Sequence, residues 1–486
     1  MKGLFHLVCT AAIGVLCGVG VTRACGGDGE VGQRVVVAAR PPNIVLLVCD
    51  DLGWGEIGVE PTPAVPAPHL HALADSGVTF TRAYATAPMC GPSRAGILTG
   101  QYQQRHGFEF NPEDAAGARV DPNCLGLDPA TRTLAEALRM RGYRTAAIGK
   151  WHLGDAPAFA PLRNGFDEFF GFRGGWSEHR APEQAERPLW RDGERATSDG
   201  YLTDVFTDEA CAFIDRSAGG AFFLYVGFSA IHRPLQPRRG DARFAELPLR
   251  ERRFARMIAA MDDGVGRIME SLERNGLVEN TIVCFVSDNG GETNGGVHVN
   301  GPLRMGKRYL FEGGVRVPMM VRWPGVAEPG TIVGEVHSTL DLAPTLIRAA
   351  GGSTLWMGLD EVDLERVLRG QDGQVEASDR GGGGALAEAD DGAGVRGSRA
   401  LFWRMGASSA VRVGRWKLVC SGESRWLFDL DADDGETTDM HLARPDVVEE
   451  LERRLAVWER RLETPRWPAP RRVATPIDGQ EYQVGG

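Results

Sequence analysis

Four short apolar runs, each breaking off into a polar cluster, limit what this chain can fold into more than any other feature. Residues 44–49 (IVLLVC) lead into Asp50-Asp51, and residues 145–149 lead into Lys150-Trp151-His152. Residues 222–228 lead towards His232, and residues 281–287 lead into Asp288-Asn289. A strand with one wet face alternates apolar and polar residues; continuous apolar runs belong to buried, mostly parallel strands. Helical stretches lie between them. One starts near Thr133, where Glu136 completes a capping box, and stops at Gly142, a residue suited to a left-handed cap. Another covers about 250–274, with Met257, Ile258, Met261, Val265, Ile268 and Leu272 at helical spacing. Strand–helix alternation predicts an α/β sandwich with a large, mostly parallel central sheet flanked by helices. Ligands bind beyond the carboxyl ends of such strands, so the four polar clusters converge on one site.

The later chain reads differently. Residues 370–399 are rich in Gly, Asp, Glu and Ala, with glycines at 381–384, and read as a linker or surface loop. Residues 410–413, 416–419 and 426–430 read as short strands. Residues 446–463 read as an amphipathic helix with Val447, Leu451, Leu455, Trp458 and Leu462 on one face. Together they predict a smaller C-terminal α+β subdomain of antiparallel strands and one helix over 400–470. The expected catalytic domain is 41–369, and 471–486 is a tail.

The N-terminus carries Lys2, then an apolar run to about Thr22, with small residues near Ala24. Residues 1–24 read as a secretory signal peptide, with an uncleaved membrane anchor as the alternative. The mature chain is therefore expected outside the cytoplasm, secreted or periplasmic. The formal net charge of −11 argues against a nucleic-acid footprint, and an anionic substrate must be drawn by local cations. None of the nine cysteines has zinc-finger spacing, and no disulfide pairing can be read from their positions.

Cys90-Gly91-Pro92-Ser93-Arg94 is the sharpest motif, followed at once by Ala95-Gly96-Ile97-Leu98-Thr99-Gly100. Proline suits the first turn of a helix, so Cys90 falls at a helix N-terminus, where free N–H groups favour an anion. Arg94 then lies one turn along on the same face. Asp50, Asp51, Asp288 and Asn289 supply hard oxygen donors, suited to Ca²⁺ or Mg²⁺. Both adjacent aspartates reach one ion only if the chain turns, and Gly53 and Gly55 are expected to permit it. Lys150 offers a point charge and His152 a proton acceptor; an extended backbone would put them on one face.

These residues resemble the sulfatases, of the alkaline phosphatase superfamily, from about residue 43 to 462. The carrying motifs are the Cys90–Gly100 block, Asp50-Asp51-Leu52-Gly53-Trp54-Gly55, Lys150-Trp151-His152-Leu153-Gly154, and the stretch from Gly306 to Pro318 containing Lys307. The resemblance implies that a formylglycine-generating maturation enzyme converts Cys90 to formylglycine. Hydrated formylglycine then attacks a sulfate ester through a covalent sulfo-enzyme intermediate. It implies one divalent cation, usually calcium, held by Asp50, Asp51, Cys90, Asp288 and Asn289. Arg94, Lys150 and Lys307 are implied to neutralise sulfate, with His152 assisting the nucleophile and His232 with Lys307 serving the leaving group. The family often has a further aspartate where this chain has Glu56, which is not expected to be a ligand. Ser177 matches a substrate-contacting serine of some relatives too loosely to count. His106, His179 and His298 are candidate substrate contacts outside any motif. The expected substrate is an aryl sulfate or a sulfated carbohydrate. The alternatives are a phosphate or phosphonate ester hydrolase of the same superfamily, or a non-catalytic binding protein that keeps the fold. Specificity is expected in the loops 107–127 and 172–200.

Overall fold

The architecture is built on ten strands in the order β11-β2-β10-β9-β1-β8-β4-β5-β6-β7. The computed structural model describes residues 40–58, 65–115, 120–180, 188–293, 300–360, 362–371, 399–469 and 473–484. The expected signal segment and most of the Gly-rich linker lie outside these. The strands are β1 (Asn43–Cys49), β2 (Val78–Phe80), β3 (Ala83–Tyr84), β4 (Arg144–Lys150), β5 (Glu168–Phe172) and β6 (Leu189–Arg191). They continue with β7 (Glu194–Ala196), β8 (Phe222–Gly227), β9 (Thr281–Ser287), β10 (Met319–Arg322), β11 (Thr331–Val333) and β12 (His337–Ser338). β3 and β12 form a separate parallel pair.

The four apolar runs are β1, β4, β8 and β9, adjacent and parallel at the centre. Alternate residues of β1 enter opposite cores: Ile44, Leu46 and Val48 face one side, Val45, Leu47 and Cys49 the other. The first core is covered by α2 (Cys90–Thr99), α3 (Leu134–Met140), α7 (Leu342–Ala349) and the short α8 (Glu365–Leu368). The second is covered by α1 (Pro68–Asp75), α4 (Leu202–Ser217) and α5 (Leu249–Arg274). Burial on both sides is why these strands lack polar alternation. The α3 capping box forms as its sequence requires: Thr133 Oγ1 accepts from Glu136 N–H, and Glu136 Oε2 from Thr133 N–H. α5 follows the expected bounds within a residue.

Towards its edges the sheet is antiparallel. β6 and β7 form a hairpin turned at Asp192-Gly193, both at positive φ. β10 opposes β9 because the 288–318 connection crosses the carboxyl end of the sheet and re-enters from there.

The C-terminal sheet is a four-stranded antiparallel meander: β13 (Ala400–Met405), β14 (Ser408–Val413), β15 (Trp416–Ser421) and β16 (Ser424–Asp429). β13 adds one strand to the three legible in the sequence. One face packs on α9 (Pro445–Glu459) through Phe402, Val411, Val413 and Leu418. The other takes in residues 309–311 and Val315, beside the four-residue helix α6 (Glu312–Val315). Residues 473–484, expected only as a tail, hold a hairpin of β17 (Val473–Ile477) and β18 (Gln480–Val484). Its Ile477 and Tyr482 close the same core. Among the described residues no helix is long and apolar enough to cross a membrane, and every described cysteine is a free thiol.

Candidate active site

Adjacent parallel strands end at one level, and their following residues meet there. Asp50 and Asp51 follow β1, Lys150 ends β4, His232 follows β8, and Asp288 and Asn289 follow β9. The turn after β1 is made by Asp51 itself, with φ 64°, and not by Gly53 or Gly55. The turn is fastened across the sheet, since Asp51 N–H donates to Asp288 Oδ1 (3.2 Å) and Leu52 N–H to Ser287 Oγ (3.0 Å). Glu56 spends its carboxylate on this turn, accepting from Gly53 N–H at 2.8 Å.

Cys90 opens α2 as expected. Its N-cap, Met89, supplies no side-chain cap; Asn111 Oδ1 instead accepts from Gly91 N–H at 3.0 Å. Arg94 is fully buried one turn on. Its Nε donates to Asp288 Oδ2 (2.8 Å), and its Nη1 to the Lys150 carbonyl and the Tyr225 hydroxyl (3.1 Å each). Lys150 Nζ meets Asp50 Oδ2 at 2.6 Å. Lys307 Nζ reaches both oxygens of Asp51, at 2.7 and 2.8 Å. Cys90 Sγ lies 3.7 Å from Asp51 Oδ1, and His232 Nε2 lies 3.9 Å from Asp51 Oδ2.

These contacts set the protonation states. Burial alone would raise the Asp51 carboxyl; Lys307, His232 and Lys150 overcome it and hold it well below the carboxylate range. Burial would lower both lysines, and Asp50 and Asp51 respectively keep Lys150 and Lys307 above their ordinary value. Burial, reinforced by Asp50, pushes the Cys90 thiol well up, so the unmodified side chain is a poor nucleophile here. Burial and then Lys307 push His232 down, to the neutral form.

One ligand atom from each of Asp50, Asp51, Cys90 and Asp288 lies within 4.8 Å of the others. Asp50 Oδ1 and Asn289 Oδ1 are buried with no hydrogen-bond partner. Orphaned oxygens in a carboxylate cluster fit a hard divalent cation, which would satisfy both.

His152 departs from the expected geometry. Its backbone is left-handed, φ 64°, so Lys150 and His152 do not share a face of an extended strand. The ring is buried and points its Nε2 at Glu113 Oε2, 2.8 Å away. Burial lowers its pKa, with Glu113 opposing. Of the other candidates, His179 is tied to the segment that carries His232. It is fully buried, and its Nε2 lies 2.9 Å from the His232 carbonyl, bracing that segment. His106 pairs with Gln101 Oε1 (2.9 Å). Ser177 Oγ is buried without a partner, and His298 lies outside the described residues. Glu113 and Tyr225 were missed in the sequence: one sits in a single 3-10 turn, Pro112–Ala115, without a motif, the other is hidden in an apolar strand.

Comparison with known proteins gives the family. The sulfatase family model matches residues 42–353. N-acetylgalactosamine-6-sulfatase of Mus musculus is 37% identical over 368 residues, 70% of this chain and 69% of the mouse protein. The Homo sapiens N-acetylgalactosamine-6-sulfatase is 35% identical, with 64% of its length covered, so the chain spans about two thirds of these relatives. Arylsulfatase A of Homo sapiens is 35% identical, with 69% of each chain covered. The crystal structure of Ps i-CgsB in complex with k-i-k-neocarrahexaose superposes with a TM-score of 0.78 at 29% identity, covering 88% of this chain and 95% of that one. Phosphonate monoester hydrolase of Agrobacterium radiobacter shares the fold, with a TM-score of 0.61 at 20% identity, covering 91% of this chain and 99% of that one. The motif order, the buried acid–base centre and these matches converge: the chain belongs to the sulfatase family.

Proposed function

We propose that this sulfatase removes sulfate from a sulfated carbohydrate, using Cys90 converted to formylglycine and a bound calcium ion. The observation that carries the reading is the centre around residue 90. Three buried carboxylates are matched by Arg94, Lys150 and Lys307, with two oxygens left over. Carbohydrate is favoured over a simple aryl ester because N-acetylgalactosamine-6-sulfatase and Ps i-CgsB in complex with k-i-k-neocarrahexaose are among the similar proteins. The hard oxygen donors favour calcium or magnesium over softer-ligand metals.

Conversion of Cys90 supplies a hydrated carbonyl whose oxygen attacks sulfur, which a buried thiol of raised pKa does not do. A divalent cation held by Asp50, Asp51, Asp288, Asn289 and residue 90 supplies positive charge that favours the anionic nucleophile and polarises the sulfate. Arg94 is locked by Asp288, Tyr225 and the Lys150 carbonyl, so its charge needs no reorganisation when substrate arrives. Lys150 and Lys307 stay protonated against their aspartates and neutralise the non-bridging oxygens. His152 takes the proton from the attacking hydroxyl, and the His232–Lys307 pair serves the departing alcohol oxygen. The C-terminal subdomain backs the stretch that carries Lys307. The Lys2-led apolar run at the N-terminus supports export, secreted or periplasmic.

The test is a panel of sulfated sugars, aryl sulfates and matched aryl phosphates, assayed on protein matured by a formylglycine-generating enzyme. Release of sulfate, with the mass of the residue-90 peptide showing the aldehyde and metal analysis showing calcium, is expected. Faster release of phosphate than of sulfate would overturn the reading in favour of a phosphoesterase.

A further inference from the structure

His152 Nε2 lies 2.8 Å from Glu113 Oε2, and Nδ1 is buried with no partner. An ionised carboxylate only accepts, so the ring nitrogen facing it must carry the proton. We propose that Glu113 is a positioning residue for His152: it fixes the tautomer with the proton on Nε2 and keeps Nδ1 as the acceptor. This rests on the reading that His152 assists the nucleophile at residue 90.

Several independent contacts build the arrangement. Glu113 Oε1 accepts from Gly175 N–H at 2.5 Å, so the carboxylate is held at both oxygens. A Cβ on Gly175 would stand 2.7 Å from His152 Nε2 and 3.0 Å from Glu113 Oε1, so only glycine lets that backbone approach. His152 N–H donates to the Arg173 carbonyl at 2.9 Å, fixing the left-handed residue against the same segment. Two residues before Glu113, Asn111 Oδ1 holds Gly91 N–H at the start of the helix that carries Cys90. A Cβ on Gly91 would stand 3.1 Å from the His152 carbonyl oxygen, so residue 90 and His152 are near neighbours. The segment 111–113 therefore ties down both the nucleophile's helix and the group that takes its proton. A carboxylate on the far nitrogen of a catalytic histidine is a general way to fix its tautomer and orientation.

The experiment uses the full, matured chain. Nitrogen NMR of ¹⁵N-histidine-labelled protein should show the Nε2–H tautomer for His152, assigned by its loss in His152→Ala. Glu113→Gln should shift it towards Nδ1–H, because the amide can donate to Nε2. Glu113→Gln should lower kcat about 10- to 100-fold with KM within about twofold and residue-90 conversion unchanged. Glu113→Asp should recover part of the loss, and Glu113→Gln should cost nothing further in a His152→Ala background. Gly175→Ala, which displaces the ring from the other side, should mimic Glu113→Gln. An Nδ1–H tautomer in the wild type would overturn the proposal, as would an equal loss from Glu113→Gln with or without His152. If the wild type hydrolyses no sulfate ester at all, the sulfatase reading fails, while the tautomer result still judges the Glu113–His152 contact.

Discussion

Two charge clusters, one buried at the carboxyl end of the large sheet and one beneath the C-terminal sheet with Asp434 at its half-exposed margin, hold the same formal inventory and behave differently. The first pairs Asp50, Asp51 and Asp288 with Lys150, Lys307 and Arg94. The second groups Glu312, Glu436 and Asp434 with Lys417, Arg412 and Arg316. In the second, Lys417 Nζ sits between Glu312 Oε1 (2.9 Å) and Glu436 Oε1 (3.0 Å), and the Tyr84 hydroxyl donates to Glu312 Oε2 (2.6 Å). A base stands between the two glutamates. In the first, Lys150 holds Asp50, Lys307 holds Asp51, and Arg94 holds Asp288 with its Nη2 4.0 Å from Asp50 Oδ1; ligand atoms of all three aspartates draw together, and Asp50 Oδ1 accepts no hydrogen bond. A divalent ion added to that balanced set leaves it net positive, the charge that a sulfate group requires. The number of charges therefore decides little; in the second cluster a base stands between the acids, and in the first the acids face one another.

The two clusters are mechanically linked. Glu312 lies five residues beyond Lys307, and Tyr309, Leu310 and Phe311 between them are buried in the C-terminal core. The second cluster anchors the stretch that delivers a lysine to the first.

The largest expected effect tests whether the first cluster is catalytic at all. Cys90→Ala should reduce sulfate release by at least about 10⁴-fold in steady-state assays while leaving the urea-unfolding midpoint nearly unchanged. Next, chelation should remove activity and lower the melting temperature together, because an ion bound only by the folded chain stabilises it; calcium should restore both. The ion's contribution should be the same in a Glu436→Gln variant, since the ligand atoms that draw together belong to Asp50, Asp51, Cys90 and Asp288. Third, Lys417→Met strands two buried carboxylates and should cost about 3–5 kcal/mol in urea unfolding, with part of kcat lost through Lys307. Adding Glu312→Gln to Lys417→Met should return some of that stability.

A smaller effect comes from Glu436, whose carboxyl burial pushes up to about 7, against 4.5 for an ordinary glutamate, with Lys417 opposing. The folded state holds this proton where the unfolded chain has released it. That stabilisation is present in full below about pH 4.5 and is lost as pH rises through about 7. Its size is about 3 kcal/mol, and Glu436→Gln should flatten that part of the stability–pH curve. Smallest is Thr133→Ala, outside both clusters. It removes the α3 cap for about 1 kcal/mol and should leave kcat unchanged, separating a loss of stability from a loss of function.

Much of the first cluster was legible in the sequence, and almost none of the second. Asp50, Lys150 and Asp288 each end an apolar run, and ends of parallel strands meet at one edge whatever the loops do. Cys90 and Arg94 are spaced by one helical turn. Glu312 opens α6, Lys417 lies in β15 and Glu436 follows β16; Glu312 stands more than a hundred residues from the other two, with no periodicity to relate them. Glu113 was invisible for the same reason.

The sequence by itself determined the doubly covered sheet, the bounds of α5 within a residue and the residues gathered at the sheet's carboxyl end, because periodicity, caps and motif spacing act over a few residues; α9, expected to 463, ends at Glu459. Only the tertiary structure decided that Asp51 and His152 turn in the left-handed region, that Glu113 faces His152, and that the C-terminal sheet holds the Lys307 stretch in place. Those outcomes depend on contacts between distant segments, where cross-chain hydrogen bonds and burial outweigh any local preference.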